Sequence, residues 1–167
     1  MKQQLSIRPA TIADLPKLVK IYNSAIESRQ STGDLIPFTV EERKEWLAKF
    51  DSNSYPIYVG EIEEIVVGYV SLSPYRKGRQ AMRKIAEISF YLDNDYLNQG
   101  IGSKLTDFMI ANCQRIGIEV LIAILLDCNT ASVALLEKFG FKKWGHFPPV
   151  IDFGNAKYGQ MYYGREL

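Results

Sequence analysis

Apolar residues recur along this chain in two rhythms, and the switches between them mark its elements. Leu5 to Arg8 alternates apolar with polar, the period of a strand with one buried face. Pro9 closes it at a sheet edge, because proline has no N–H to give a ladder. Leu15, Leu18, Val19, Tyr22 and Ile26 then return at helical spacing, with Pro16 in the first turn and Asp14 as the expected cap. Ser31 to Thr39 holds Gly33 and Pro37 and reads as a loop. Thr39, Glu41, Glu42 and the apolar pair Trp46–Leu47 predict a short second helix with acidic residues at its N-terminal end.

The middle of the chain turns to the period of strands. Ile57 to Ile62 and Ile65 to Leu72 are rich in β-branched and aromatic residues and flank Glu63–Glu64, so they predict an antiparallel hairpin. Ser73 to Lys84 is a basic, polar loop. Ile85 to Leu92 alternates, which puts Glu87, Ser89 and Tyr91 on one face and Ile88, Phe90 and Leu92 on the other. Ile101, Leu105, Phe108, Met109 and Ile116 form one stripe of a helix that starts at Gly100 and stops at Gly117. Val120 to Leu126 is continuous apolar sequence, suited to a strand buried on both faces and parallel to its predecessor through a right-handed crossover. A helix from Thr130 to Phe139 ends at Gly140, and strands near Phe141–Phe147 and Gln160–Arg165 finish an α/β domain with a central mixed sheet.

Composition narrows what such a domain does. The 167 residues suffice for one self-sufficient core over 1–167, and 47% hydrophobic with 23% charged residues is a water-soluble balance. Lys and Arg number 20 against 19 Asp and Glu, which supplies no basic field for nucleic acid or an anionic membrane. Two cysteines and one histidine make no recognisable metal set, so no metal is expected and a reducing, cytoplasmic setting fits. The N-terminal MKQQLSIRPA lacks the apolar stretch of a secretory signal.

Asp93 to Lys104 carries the chemistry: a strand end, a glycine-bearing turn and a helix start. Glycines let backbone approach a ligand closely, and the free N–H groups of a first helical turn, at the positive end of the helix dipole, favour an anion such as a pyrophosphate. Gly-x-Gly alone is equally suited to a tight connection. The turn lacks the Gly-Lys-Ser/Thr of a P-loop and the third glycine of a dinucleotide fingerprint.

The segment Leu97-Asn98-Gln99-Gly100-Ile101-Gly102 resembles the acetyl-CoA signature of the GNAT superfamily of N-acetyltransferases, Gln/Arg-x-x-Gly-x-Gly/Ala, with Leu97 at its first position. Asn129 to Ser132, leading to Lys138-Phe139-Gly140-Phe141, is similar to that superfamily's next block. Within the superfamily the chain is most similar to the phosphinothricin and methionine sulfoximine N-acetyltransferases. That likeness rests on Thr39 to Arg43 with Trp46, Pro74-Tyr75-Arg76, Arg79-Gln80-Ala81, Glu87 to Leu92 and the closing Gly164 to Leu167. It implies a GNAT-like acyl-CoA N-acyltransferase fold, a central mixed sheet of about seven strands flanked by helices, and a homodimer.

Carried across by position, the resemblance implies that Tyr91 and Leu92 pair through their backbones with the pantetheine arm and polarise the thioester carbonyl. Backbone donors aimed at a developing oxyanion contribute several kcal/mol in acyl transfer, roughly 3 for one donor. Gln99, Gly100, Ile101, Gly102, Ser103 and Lys104 would hold the pyrophosphate, with Asn129 and Ser132 beside the cofactor. An ammonium cannot attack a thioester until a base removes its proton, and Glu87 matches the group's strand glutamate; a surface ion pair with Lys84 or Arg83 is its competing role. Arg76 and Arg79 are candidates to grip a substrate carboxylate or phosphinate, with Tyr75 and Phe38 lining the same pocket. Leu136 stands where many superfamily members carry a tyrosine acid.

The expected activity is transfer of acetyl from acetyl-CoA to a small amino-acid-like amine by direct attack. A polyamine, an aminoglycoside-type compound or a protein N-terminus as acceptor, or a non-catalytic acyl-CoA sensor, are the alternatives the residues leave open. His146 and Cys128 read as structural, Cys128 because no basic neighbour is identifiable to lower its pKa.

Overall fold

A computed structural model describes residues 4–167; the first three residues of the signal-free N-terminus expected from sequence lie outside them. Seven strands form one mixed sheet: β1 (Ser6–Pro9), β2 (Ile57–Ile62), β3 (Ile65–Pro74), β4 (Ile85–Leu92), β5 (Val120–Leu126), β6 (Lys142–Asp152) and β7 (Lys157–Glu166), in spatial order β1-β2-β3-β4-β5-β7-β6. All neighbours are antiparallel except β4 and β5. Four helices cover it: α1 (Leu15–Ser28), α2 (Val40–Leu47), α3 (Ile101–Cys113) and α4 (Thr130–Lys138). None is long and apolar enough to cross a membrane.

The amphipathic patterns decide which helix covers which face. Leu15, Leu18, Val19 and Ile21 of α1 and Leu47 of α2 bury against Ile57, Val59, Val66 and Tyr69. Ile101, Leu105, Met109 and Cys113 of α3 bury against Tyr58, Val70, Leu72, Ala86 and Ile88 on the other face, with Leu136 of α4 in the same cluster. The alternation of β4 therefore sorts as expected. Phe90 and Leu92 pack toward α3, and Tyr91 toward α1.

Several boundaries differ from the sequence expectation, each for a local reason. Asp14 does not cap α1 with its side chain: a 3-10 turn over Ile12–Asp14 precedes the helix, and Asp14 itself is already helical. Its carboxylate accepts from the Thr11 backbone N–H at 2.7 Å, as in a capping box one turn earlier, and takes two bonds from Arg8 at 2.8 Å. At the other end of the pattern, α3 stops at Cys113 and a 3-10 turn, Gln114–Ile116, runs on to Gly117, whose φ of 75° ends it. The short helix α2 follows expectation, with Thr39 and Glu42 bonding reciprocally. β6 extends well beyond the expected Phe147, broken by irregularities in its register with β7.

Register positions the site. β4 and β5 pair over three rungs, Ile85–Val120, Ala86–Leu121 and Glu87–Ile122. Beyond Glu87, β4 continues to pair with β3 through Gly68–Leu92, while β5 continues with β7 through Leu126–Gln160. The sheet thus forks between its two parallel strands, and the fork opens toward the start of α3.

Candidate active site

A cavity of about 430 Å³ fills the fork. Ile88 to Leu92 form one wall and Ala123 to Leu125 the other. Gly100, Ile101, Gly102 and Ser103 close one end, with Asn129 and Ser132 across from them. Gly100 caps α3 with φ at 78°, a left-handed backbone that a side chain would strain, while no neighbour lies within 4 Å of where its Cβ would sit. Asn98, two residues earlier, is also left-handed at 59° and lines the cavity. The first intrahelical bond runs from the Lys104 N–H to the Gly100 carbonyl, which leaves the preceding amides of the turn outside the helical ladder.

Close approach explains the second glycine. A Cβ on Gly102 would stand 3.3 Å from Leu135 and 3.4 Å from Leu92, so glycine lets α3 press against α4 and the end of β4. Asn129 caps α4 by accepting from the Ser132 N–H at 3.1 Å. Two helix N-termini therefore converge on one cavity, and their dipoles add to favour an anion there.

The cavity holds most of the expected cofactor residues but not all. Gln99 and Lys104 lie outside its lining; Gln99 instead bonds the Asp95 carbonyl at 3.2 Å. Leu136 lines it and is buried, so no phenol stands at that position.

A second cavity, of about 310 Å³, adjoins the first: Ser31, Ser89, Tyr91, Ile124 and Leu125 line both. Its floor is a polar ladder on the α1-side face. Tyr69 faces Tyr91, Ser71 faces Ser89 and Ser73 faces Glu87 across β3 and β4. Glu87 is half-buried with no hydrogen-bond or ion-pair partner among the described residues, and that burial raises its pKa above the ordinary carboxylate value. The competing ion pair does not form. Lys84 pairs with Glu119, and Arg83 donates to the Gln80 carbonyl.

The substrate-side candidates separate from this cavity. Arg76 and Arg79 are exposed on the loop after β3, and neither they nor Tyr75 line either cavity. Phe38 packs behind the wall: its backbone is held at both N–H and carbonyl by Asn23, and its ring lies 6.1 Å from that of Tyr22. The cation that does line the cavity is Arg43, joined by Tyr22, Trp46 and Tyr69. Sequence reasoning placed none of these four in the site, although Tyr22 belonged to the α1 stripe and Arg43 and Trp46 to the segments that carry the resemblance. The available signal was the recurrence of Arg43 and Trp46 on one short helix after an aromatic-bearing α1. His146 bonds Asp127 at 3.0 Å, and burial raises the Cys128 pKa, both in keeping with structural roles.

These features agree with the chain's similarity to known proteins. The family described as Acetyltransferase (GNAT) domain matches residues 4–142. The protein YwnH of Bacillus subtilis is 37% identical over 98% of this chain and 99% of its own length. The L-methionine sulfoximine/L-methionine sulfone acetyltransferase of Pseudomonas aeruginosa PAO1 is 31% identical over 87% of this chain and 84% of its own. Among solved structures, a GNAT superfamily phosphinothricin acetyltransferase from Sinorhizobium meliloti, in complex with AcCoA, superimposes with a TM-score of 0.92 at 26% identity, covering 98% of this chain and 88% of that one. A forked mixed sheet with a glycine-capped helix at its mouth, matched over 139 residues running from 4 to 142, identifies the chain as a member of the GNAT acetyltransferase family, an N-acetyltransferase that uses acetyl-CoA as cosubstrate.

Proposed function

We propose that the acceptor is a small amino-acid-like amine carrying an anionic group, of the phosphinothricin or methionine sulfoximine type, and that Glu87 is the base that deprotonates it. One observation carries this reading: an unpaired, half-buried carboxylate lines a cavity that shares a wall with the cofactor fork. The names of the Pseudomonas and Sinorhizobium relatives support the substrate class.

When bound, acetyl-CoA supplies the activated acetyl thioester. The amides of Gly100 to Ser103 would hold its diphosphate, and the β4 backbone at Tyr91 and Leu92 would polarise its carbonyl at the junction of the two cavities. Glu87 takes the ammonium proton, directly or through a water held by Ser71, Ser73 or Ser89. The raised pKa makes Glu87 a stronger base toward the ammonium than an exposed glutamate would be. Gln99 and Lys104, outside the lining, would act on the diphosphate only at the rim. Arg76 and Arg79, one loop beyond Ser73, would steer anionic substrate toward the opening, while Tyr75 and Phe38 contribute packing.

Two cysteines without a disulfide, Cys113 and Cys128, support work in the cytoplasm. Edge strand β6, which exposes Trp144, Phe147 and Val150, is the surface we assign to a homodimer, read by sedimentation. Acceptor choice is tested by thiol release from acetyl-CoA with methionine sulfoximine, methionine sulfone, phosphinothricin, polyamines and peptides. Release with the amino-acid analogues alone supports the reading. Turnover confined to polyamines or peptides overturns it, and coenzyme A binding without any turnover marks a sensor.

A further inference from the structure

Breaking the acetyl thioester leaves the bonding electron pair on sulfur, and at neutral pH the thiolate must take up a proton, since an ordinary thiol pKa is about 8.5. A donor already facing the sulfur eases that step. Among the described residues lining the fork, Tyr91 is the one titratable side chain, and its phenol is turned away. Its ring packs on the α1 side, 5.0 Å from that of Tyr22 and 5.5 Å from that of Tyr69, where burial raises its pKa above the ordinary phenol value. Leu136 has no proton to give.

The remaining side-chain donors are amides, which hold their protons, and hydroxyls, which can pass one on. Six serines line the fork, and five are placed for other work. Ser24 donates to the Lys20 carbonyl at 3.1 Å and Ser28 to the Ala25 carbonyl at 2.7 Å, both within α1. Ser103 accepts from Lys138 at 3.1 Å, at the end expected to hold the diphosphate. Ser31 and Ser89 line the second cavity as well, which puts them on the acceptor side of the thioester. Ser132 lines the fork alone, and its hydroxyl bonds nothing among the described residues.

Asn129, Ser132 and Leu136 are spaced three and four apart, so they share one face of α4, and all three line the fork. Leu135 of α4 and Leu92 at the end of β4 both come within 3.4 Å of where a Cβ on Gly102 would stand, so this stretch of α4 lies against the strand end. Thr130 and Ala131, just before Ser132, are exposed, and solvent reaches the serine oxygen from that side. Resting on the seat of the thioester at Tyr91 and Leu92, we propose that the Ser132 hydroxyl is the proton donor to the departing coenzyme A sulfur. Ser132 gives up its proton as the C–S bond breaks with its electron pair going to sulfur and the carbonyl re-forms, and it takes a proton from solvent in the same event. The acceptor nitrogen loses two protons, one to Glu87 before attack and one as the amide forms. Both reach solvent, one returns to sulfur through Ser132, and each turnover releases one proton.

Single-turnover acetyl transfer, with whichever acceptor the wild type uses best, and titration of bound coenzyme A test this together. Ser132→Ala keeps the α4 cap, which runs through the backbone N–H, and should slow transfer roughly 10²-fold at an unchanged coenzyme A Kd. Ser132→Thr keeps the hydroxyl and should retain most of the rate. A selenol leaves readily as an anion, so acetyl-seleno-coenzyme A should largely restore Ser132→Ala. In the coenzyme A complex the hydroxyl donates to the thiolate, whose ultraviolet absorbance should therefore titrate about one pH unit higher in Ser132→Ala than in the wild type. Equal losses on thioester and selenoester, a thiol titration that the substitution does not move, or no loss of rate overturn the donor. Turnover confined to polyamines or peptides fails the acceptor reading alone, since both Ser132 measurements stand with any amine. A wild type that binds coenzyme A and transfers acetyl to nothing sinks both.

Discussion

Among the described residues Glu87 has no partner to share its charge, and its burial makes it hold its proton more tightly than an exposed glutamate does. The base proposed for the reaction works only when ionised, so with Glu87 in that proposed role kcat/KM should fall as pH drops through a value above the ordinary carboxylate pKa of about 4.3. Glu87→Gln should lower kcat by roughly 10²- to 10⁴-fold while calorimetry with coenzyme A shows an unchanged Kd. Stability carries the opposite sign. Because the folded-state pKa is raised, the folded protein binds the proton better than the unfolded chain, and this group's contribution to stability diminishes as pH rises through that value. Thermal melts at neutral pH should find Glu87→Gln no less stable than the wild type. Glu87 was legible because alternation along one strand fixes its face. Arg43, Tyr22 and Tyr69 were not, since they lie on three separate elements and meet only once α1 and α2 pack on β3. Arg76 and Arg79 show the reverse, adjacent in sequence but carried out into solvent by a loop.

Among the elements, α3 and α4 owe their useful ends to single residues. Gly100→Ala forces a side chain into a left-handed conformation with no clash to add, so it should cost about 1–2 kcal/mol of stability and weaken coenzyme A binding as the turn relaxes. Asn129→Ala removes the cap on α4 at a cost of about 1 kcal/mol by denaturant melting, with a matching loss of cofactor affinity. Most strands and helices were legible from their rhythm, because buried faces repeat at 2 or 3.6 residues, while β5 was legible as an unbroken apolar run and α2 from the acidic start after Thr39. Ends were less so. Thr11 and Asp14 carry a helix-start signature one turn before Pro16, yet in sequence Asp14 reads equally well as the cap of the proline-led helix, and the pull of Arg8 from β1 decides the matter. Gln99 and Lys104 belong to the motif in sequence but lie outside the cavity lining, Gln99 because its amide turns back to the Asp95 carbonyl.

Across the whole molecule, Arg8 ties the start of α1 to the sheet, bonding Asp14 with two donors and Glu61 of β2 at 2.5 Å. Arg8 holds the Asp14 carboxyl below its usual pKa, so Asp14 adds stability above the unfolded value and loses it as pH falls through the depressed folded one. Asp14→Asn should cost about 2 kcal/mol at neutral pH, moderated because Arg8 is partly open to water. That loss should shrink in melts run toward acid pH.

The fork between β4 and β5 reaches further than the chemistry at its mouth. Beyond Glu87, β4 has a neighbour on one side only, so its amides from Ile88 onward face β3 and open space by turns. In the free protein, deuterium should enter these positions in an alternating sequence, slow where the amide meets β3 and fast where it does not. A cosubstrate seated along that edge should silence the fast positions and leave the slow ones as they were. A central strand would then report occupancy one amide at a time.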